Sequence, residues 1–377
     1  YYIDDIQENR HIRFKRRLNH PYFKNLKIPA GYKPVNGIQM QAFPKARINR
    51  NEQFIEGKVH LLTSVTYADK GYIVNSYPEA KISRYSDDSF SGFVFNCNNT
   101  FLKYPVVRRS LNYIFRARLA LERALGGEGE IVSGPIPKRN FFYNLSIIPY
   151  QDDVKKGIDL LKLYCKWGLD VYDDEGKIYI ASKLEGPAKQ LVADDQIVGV
   201  ENKKVNSIED LLDALTKINK PIMRVKLIRG KRIVVKRIYQ KFELKIGILN
   251  FLQFEDNKIK GLPEFTLIAN NPEGKNPLVK EICGALKEDL EKIGIILKID
   301  YLNSKKYYPR LKDGSFDFAF RTIKLTGTPN LYRMFFHAKG SKIINNVNYG
   351  RYYNRKINKI ALKTKDITNI NKLKQDW

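Results

Sequence analysis

Apolar residues recur at helical spacing in several segments of the chain. The segment 277–293 carries one apolar side chain every three or four residues, at Leu278, Ile282, Leu286, Leu290 and Ile293. This spacing predicts an amphipathic helix that ends before Gly294. Further helices are predicted over 49–57, 105–125, 152–164, 208–218 and 307–312.

Short runs rich in β-branched and aromatic residues predict strands between these helices. They lie at 1–3, 12–16, 59–62, 92–96, 265–269, 295–299 and 316–320. A hairpin is predicted at 226–237, where two such runs flank Gly230. The order strand, helix, strand between 265 and 299 is typical of a right-handed parallel βαβ unit. The pattern therefore predicts an α/β protein.

Length and composition limit the class of protein. At roughly 150 residues per domain, 377 residues predict two or three domains. An apolar content of 43% with 12% aromatic residues excludes a disordered chain. No run approaches the roughly 18 consecutive apolar residues of a membrane span. The first residues, from Tyr1 to Asp5, are neither an initiator Met nor a signal peptide.

Residues with catalytic or metal-binding chemistry are few and scattered. The sequence has three cysteines and four histidines, Cys97, Cys165, Cys283, His11, His20, His60 and His337. They share no zinc spacing, and no Ser/His/Asp or Cys/His arrangement accompanies them. We therefore predict no catalytic residue, no metal and no cofactor.

The chain is strongly basic. Lys and Arg outnumber Asp and Glu by 67 − 40, a net charge of +27. Such a charge attracts nucleic acid, anionic surfaces or acidic proteins. The densest basic runs are 11–17 and 226–237, and both alternate with apolar residues, as a solvated strand face does. No zinc finger, basic zipper or RRM pattern accompanies them. We therefore expect no nucleic-acid partner, and nucleic-acid or anionic-surface binding stays a minor alternative.

Seven short motifs follow one another along the chain. They are Asn19-His20-Pro21-Tyr22-Phe23, Phe54-Ile55-Glu56-Gly57-Lys58-Val59-His60, Val107-Arg108-Arg109-Ser110-Leu111-Asn112-Tyr113, Gly134-Pro135-Ile136-Pro137, Lys292-Ile293-Gly294-Ile295, Gly314-Ser315-Phe316-Asp317 and Tyr353-Asn354-Arg355-Lys356-Ile357-Asn358. Their order resembles that in the family 5 extracellular solute-binding proteins, the peptide- and nickel-binding receptors of bacterial ABC importers. Each motif alone is weak evidence, but their common order is strong.

The resemblance implies part of a two-lobed α/β fold of the type II periplasmic-binding-protein class. It assigns 1–98 to the first lobe, and 99–149 with 242–377 to the second lobe. The C-terminal return to the first lobe and an N-terminal export segment are expected to be missing. A periplasmic or cell-envelope lipoprotein is the expected location. The implied function is non-catalytic binding of a peptide or similar solute for ABC import, with the permease as a partner.

The interruption at 150–241 resembles a bacterial PDZ domain. Its motifs are Gly186-Pro187-Ala188, Asp194-Asp195-Gln196-Ile197 and Val200-Glu201-Asn202-Lys203, with Asp194 and Lys203 where the pattern usually has Gly. The resemblance implies a small β-barrel inserted in the second lobe. It also implies a groove for a protein C-terminus, formed by Gly168, Leu169, Val171, Ile208 and Leu212. An adaptor that binds proteins through this unit is the alternative function.

For the solute site, the resemblance points to the strand that follows Phe316-Asp317. The candidate ligand-binding residues are Asn96, Phe320, Arg321, Thr322, Ile323, Lys324 and Thr326. Relatives that bind peptides pair the peptide amine with a carboxylate, but here that position is Thr326, near the cationic Lys324. A buried amine without a carboxylate is strongly penalised. The ligand is therefore expected to be anionic, N-blocked or bulkier, unless the receptor has lost its ligand.

Overall fold

The structure is a computed structural model of the chain, and it separates into two compact units, Tyr1–Arg84 and Tyr85–Trp377. The residues that it describes are 2–7, 11–15, 37–41, 47–63, 65–83, 89–132, 134, 143, 147, 149–174, 176–181, 188, 190–218, 220–239, 252–255, 258–324, 348–355 and 357–359. In this part of the chain, no helix has the length and apolar character needed to cross a membrane.

The described residues of the first unit form a three-stranded antiparallel sheet and two helices. The strands, in spatial order, are β1 (Tyr2–Gln7), β2 (His11–Lys15) and β3 (Gly37–Gln41), and the helices are α1 (Arg47–Ile55) and α2 (Tyr67–Ser76). β1 and β2 confirm the strands predicted at 1–3 and 12–16, and the two pair antiparallel. The strand predicted at 59–62 is wrong, because the Val59 N–H bonds back to the Gln53 carbonyl and continues the turn after α1.

The second unit is built around a mixed four-stranded sheet. Its members, in spatial order, are β14 (Leu297–Leu302), β13 (Phe265–Asn270), β15 (Phe318–Lys324) and β4 (Ser89–Phe95). β13 is parallel to both β14 and β15, which confirms the predicted parallel unit, and β4 is antiparallel to β15.

Helices cover both faces of this sheet. They are α7 (Pro277–Lys292), which joins β13 to β14, and α8 (Ser304–Asp313), which joins β14 to β15. Phe318 belongs to the large apolar core that includes α7, whereas its neighbour Ala319 packs with Tyr307 and Leu311 of α8. Because successive side chains of a strand point to opposite faces, the alternation buries β15 on both sides.

The helix predicted over 105–125 is interrupted and forms two helices, α3 (Pro105–Ile114) and α4 (Ala117–Leu125). The buried carboxylate of Asp289 on α7 explains the interruption. It accepts hydrogen bonds from the backbone N–H of Arg116 at 2.9 Å and from the Arg116 guanidinium. This carboxylate acts as an N-terminal cap for α4 from a distant part of the chain.

Within 150–241, the described residues form two helices and six strands. The helices are α5 (Val154–Trp167) and α6 (Ile208–Thr216), and the strands are β5 (Val171–Asp174), β6 (Lys177–Ile180), β7 (Gln196–Val200), β8 (Lys203–Lys204), β9 (Ile222–Arg229) and β10 (Arg232–Tyr239). The antiparallel sheet has the order β10-β9-β7-β6-β5, with β8 beside β7. β9 and β10 confirm the predicted hairpin. No pairing closes this sheet among the described strands, so the predicted β-barrel is not supported.

A short hairpin of β11 (Gln253–Glu255) and β12 (Lys258–Lys260) leads back to the four-stranded sheet. The lobe boundaries predicted from the sequence remain a prediction. The boundary between the compact units falls before β4, whereas the sequence prediction placed β4 in the first lobe. β4 pairs along its whole length with β15 of the second unit.

Candidate functional site

The turn that precedes β15 is fixed by a network around Asp317. One oxygen of its carboxylate accepts from the Asn99 side chain at 2.6 Å, and the other accepts from the Thr266 N–H at 2.8 Å. Phe316 is buried against α8. Gly314 ends α8 with φ +85°, and a Cβ there would collide with the guanidinium of Arg351. These contacts explain the motif Gly314-Ser315-Phe316-Asp317 as the structural start of β15.

Asn96 is a predicted ligand residue that lies at the end of β4. Its side-chain amide donates to the carbonyls of Gly314 and Phe316, at 3.0 and 2.9 Å. Its side-chain oxygen accepts from the Asn98 N–H. Both N–H groups of this amide are therefore engaged in joining the end of β4 to the start of β15.

Beside this network lies an open polar cavity of about 330 Å³. Its lining residues are Asn96, Asn98, Asn99, Thr266, Arg310, Gly314, Ser315, Phe316 and Asp317. The Arg310 guanidinium is held by Asp300 at 2.7 Å and donates to the Ser315 carbonyl. The two charged side chains of the cavity wall, Arg310 and Asp317, are thus each bonded to other groups of the protein, so the cavity offers few unused groups to a ligand.

The second half of β15 has a different environment. β13 pairs with β15 only from Phe318 to Phe320, whereas β4 pairs with it as far as Lys324. Beyond Phe320, no described strand lies beside β15 on the side of β13. The Phe320 carbonyl is taken by the hydroxyl of Tyr307, which donates to it at 2.8 Å. Residues 321–324 therefore present one edge of a strand that no described strand covers.

The side chains of β15 beyond this point alternate between the two faces of the sheet. Phe320 is buried, and its ring meets that of Phe93 edge to face. Thr322 is exposed, and its hydroxyl shares a 2.8 Å hydrogen bond with the hydroxyl of Ser91. Phe320 thus serves the core and contributes no open binding surface, whereas Thr322 is accessible.

Arg321 lies on the other face, together with the half-buried Ile323. Its guanidinium carbon stands 4.7 Å from the centre of the Tyr349 ring. Its Nη1 atom is buried, and no hydrogen-bond partner for it lies among the described residues. A buried cationic N–H without an acceptor is costly, and a ligand carboxylate or carbonyl would supply the missing acceptor. Arg321 is the predicted site residue with the clearest unused binding capacity.

Lys324 and Thr326 are the last two predicted site positions along the chain. The backbone of Lys324 pairs with Ser89 at the end of β15. Thr326 lies outside the described residues.

The tyrosines at this site, Tyr307 and Tyr349, were not anticipated from the sequence, because only the fold brings them to β15. Burial raises the pKa of Tyr307, so its hydroxyl remains a hydrogen-bond donor at neutral pH.

The sequence around this site carries no negative side chain over a long stretch. Residues 318–365 contain no Asp or Glu, but they include Arg321, Lys324 and nine further Lys or Arg residues. A cationic ligand group would find no carboxylate within this stretch. Of these cations, Arg321 lies at the site beside Tyr349, and its positive charge favours an anionic ligand group.

The predicted groove in 150–241 is not open. Gly168, Leu169, Val171 and Ile208 are buried, and Leu212 is half-buried. The carboxylate of Asp170 between them is 1% exposed and accepts from Arg109 of α3 at 2.6 Å. The same Arg109 atom donates to the Val171 carbonyl at 3.0 Å. The loop expected to bind a carboxylate is therefore covered by α3.

Helix α5 also lies against both walls of the predicted groove. Its first turn is joined to β5 by Lys156 with Asp173 at 2.7 Å, and to α6 by Lys155 with Glu209 at 2.5 Å. Ile158 and Leu161 of α5 are buried in the same core as Leu211. Helix α5 therefore contacts both β5 and α6, the two elements that would flank a bound peptide.

The described residues contain no group of three or more His, Cys, Asp or Glu side chains arranged to hold a metal ion. The Cys283 thiol is fully buried, and burial raises its pKa to about 12. A thiol with this pKa is protonated at neutral pH and is a poor nucleophile.

The structure is similar to solved substrate-binding proteins of ABC transporters. One is the substrate-binding protein CtaP from Listeria monocytogenes, with a TM-score of 0.63 and 13% identity over 100% of this chain and 55% of that one. The oligopeptide-binding protein AppA from Bacillus subtilis, in complex with a nonapeptide, has a TM-score of 0.54 and 17% identity, over 99% of this chain and 56% of that one. NikZ from Campylobacter jejuni, in complex with Ni(L-His), has a TM-score of 0.53 and 16% identity, over 100% of this chain and 56% of that one.

No protein-family model matches the sequence, and no curated protein sequence matches it. The likeness to solved structures establishes the fold: the chain has the α/β fold of ABC-transporter substrate-binding proteins. The expected fold class is confirmed to that extent. The chain spans about half the length of the structures that it matches.

Proposed function

We propose that this chain binds a peptide or similar solute for import by an ABC transporter, without catalysis. The observation that carries the proposal is the edge of β15 from 321 to 324, which no described strand covers, within a fold of substrate-binding proteins. An extended ligand added beside such an edge gains main-chain hydrogen bonds, and neighbouring side chains then select among ligands. Function outside the cytoplasmic membrane and a permease partner belong to the same proposal.

The ligand is best described as a short peptide-like solute with an anionic group. Arg321 has a buried N–H with no acceptor in the described part of the chain, and its guanidinium is oriented by the Tyr349 ring. Residues 318–365 supply no carboxylate for a free amine. A ligand with a carboxylate and a blocked or distant amine satisfies both conditions. Thr322 lies one residue further along the same uncovered edge, and its side chain is accessible to the ligand.

The inserted segment 150–241 has no ligand in this proposal. Binding of a protein C-terminus there would require α5 to leave a core that it shares with α3 and α6. It would also require the buried Asp170 carboxylate to accept a second carboxylate beside it, which the repulsion of like charges opposes. The segment is better explained as a structural extension that α5 fixes to α3.

The proposal is tested by calorimetric titration of the full chain with short peptides, N-acetylated and free. We expect N-acetylated peptides with a free carboxylate to bind. Arg321→Gln removes a charge-assisted hydrogen bond and should weaken binding by about 10- to 100-fold. The matched control is Lys298→Gln, which removes an exposed cation from β14 of the same sheet and should leave binding unchanged. Failure of all peptides to bind, or equal losses in both variants, would contradict the proposal.

A further inference from the structure

The hairpin of β9 and β10 has an outward face with an unusual composition. Register pairs Ile222 with Tyr239, Arg224 with Arg237, Lys226 with Val235 and Ile228 with Ile233. Residues directly opposite each other in an antiparallel pair share a face of the sheet. The other face carries Met223, Val225 and Leu227, which are buried in the core. The four residue pairs from Ile222–Tyr239 to Ile228–Ile233 therefore form one outward surface, which we name the hairpin face.

Apolar side chains on the hairpin face are well exposed. Ile233 is 65% exposed, Val235 58%, Tyr239 53% and Ile222 40%. An antiparallel sheet with one solvated face usually has polar residues on that face. On β10, three of the four outward residues are instead apolar. Exposed apolar residues gathered on one flat surface indicate a binding surface rather than simple solvation.

Cations accompany these apolar residues. Arg224 is paired with Glu201 at 3.1 Å, but among the described residues no acidic side chain pairs with Lys226 or Arg237. Arg224 and Arg237 face each other directly across the two strands, and like charges in this position repel. The whole hairpin from 222 to 239 contains seven Lys or Arg residues and no Asp or Glu. The face therefore carries positive charge that the described residues only partly neutralise.

We propose that the hairpin face docks on an anionic phospholipid surface. A flat face with branched apolar side chains, one amphipathic Tyr and flanking Lys and Arg matches such a surface, since the apolar groups enter the headgroup region while the cations meet the phosphates. The charge complementarity is direct, because the face has three cations and no acidic side chain. This inference does not depend on the proposed solute site, which lies on a different sheet of the same unit.

The test measures sedimentation of the full chain with lipid vesicles. Vesicles that mix phosphatidylglycerol with phosphatidylcholine are compared with vesicles of phosphatidylcholine alone, at physiological salt. We expect binding only to the anionic vesicles, and weaker binding as salt rises. The variant Ile233→Ser with Val235→Ser should bind these vesicles more weakly than the wild type, because it removes the apolar contribution without a change in charge.

The control separates a specific face from the net charge of the chain. Each Lys or Arg near an anionic surface contributes about fivefold in affinity, so Lys226→Gln with Arg237→Gln should weaken binding by at least about tenfold. The matched control is Lys280→Gln with Lys305→Gln, two exposed cations on α7 and α8. It makes the same change in net charge and should weaken binding by no more than about twofold. Melting temperatures of all variants check that they are folded.

Three results would overturn the proposal. The first is an absence of binding to anionic vesicles. The second is an equal loss of vesicle affinity in Lys226→Gln with Arg237→Gln and in the control Lys280→Gln with Lys305→Gln, which would mean that net charge alone drives binding. The third is binding of poly-glutamate, but not of vesicles, that depends on Lys226 and Arg237, since the face would then be a docking site for an acidic protein segment.

Discussion

Arg109 on α3 and Asp170 after α5 form an ion pair with 2.6 Å between Nη1 and Oδ1. The Asp170 side chain is 1% exposed and that of Arg109 is 14% exposed, so solvent screens the pair little. The pair joins the part of the chain before residue 150 to the segment 150–241. A PDZ-like unit that captures peptides would need this loop to be open, and here it is used inside the protein.

Removal of Arg109 should strongly destabilise the fold. Arg109→Met leaves the buried Asp170 carboxylate without its guanidinium, which costs about 3–5 kcal/mol when a buried pair is broken. Arg123→Met is the control, because Arg123 pairs with Glu288 at the surface, where a pair contributes at most about 1 kcal/mol. Urea unfolding measures the free energy of unfolding of both variants. Equal losses in the two variants would show that the Arg109 pair is not a buried structural link.

Gly157 of α5 packs tightly against Ser110 and Ile114 of α3. A Cβ at this position would lie 2.7 Å from Ile114 Cγ1 and 2.8 Å from the Ser110 carbonyl oxygen. Gly157→Ala should therefore destabilise by about 1–3 kcal/mol through overpacking.

Gly284 provides the opposite case within the same unit. It lies inside α7, and a Cβ there would meet no atom within 4 Å. Gly284→Ala should stabilise by about 0.5–1 kcal/mol, because Ala favours the helix over Gly. Thermal unfolding of Gly157→Ala and Gly284→Ala shows whether each variant is less or more stable than the wild type. A neutral or stabilising Gly157→Ala would mean that α5 does not pack closely on α3.

Asp195 should make stability depend on acid pH. Burial acts to raise its pKa, but hydrogen bonds from Arg229 and from the Val192 N–H lower the pKa below its usual value. A depressed pKa in the folded state means that the carboxylate adds stability above the unfolded pKa near 4, and loses it as the pH falls through the folded value.

The measurement is the free energy of unfolding of the wild type and of Asp195→Asn between neutral and acid pH. At pH 7 the variant should be less stable by about 1–3 kcal/mol, and the difference should shrink below about pH 4. Asp174→Asn removes an exposed carboxylate from β5 and should change stability by less than about 0.5 kcal/mol at either pH. A difference for Asp195→Asn that does not vary with pH would contradict this account.

Local patterns in the sequence predicted the elements that local forces determine. The stripe from Leu278 to Ile293 predicted α7, and the runs around it predicted the parallel strands β13 and β14. The hairpin around Gly230 followed from its two β-prone runs. In these segments the side-chain period, the helix ends and the turn residues all favour the same structure.

Contacts between distant residues explain what could not be predicted. The interruption between α3 and α4 depends on Asp289, far away in the sequence, which caps the N-terminus of α4. The groove was predicted to be open because the sequence gives no sign that Arg109 and α5 cover it. At the proposed solute site, the strand was predicted, but the roles of Tyr307 and Tyr349 depend on where α8 and residue 349 lie against β15.

The proposed solute lies beside residues 321–324 of β15. Amide hydrogen exchange, measured with and without a bound N-acetylated peptide, tests this position. We expect slower exchange at 321–324 on binding, with unchanged exchange in the hairpin 222–239. Binding that leaves exchange at 321–324 unaltered while it slows exchange around α5 and α6 would contradict this position and favour a peptide site within 150–241.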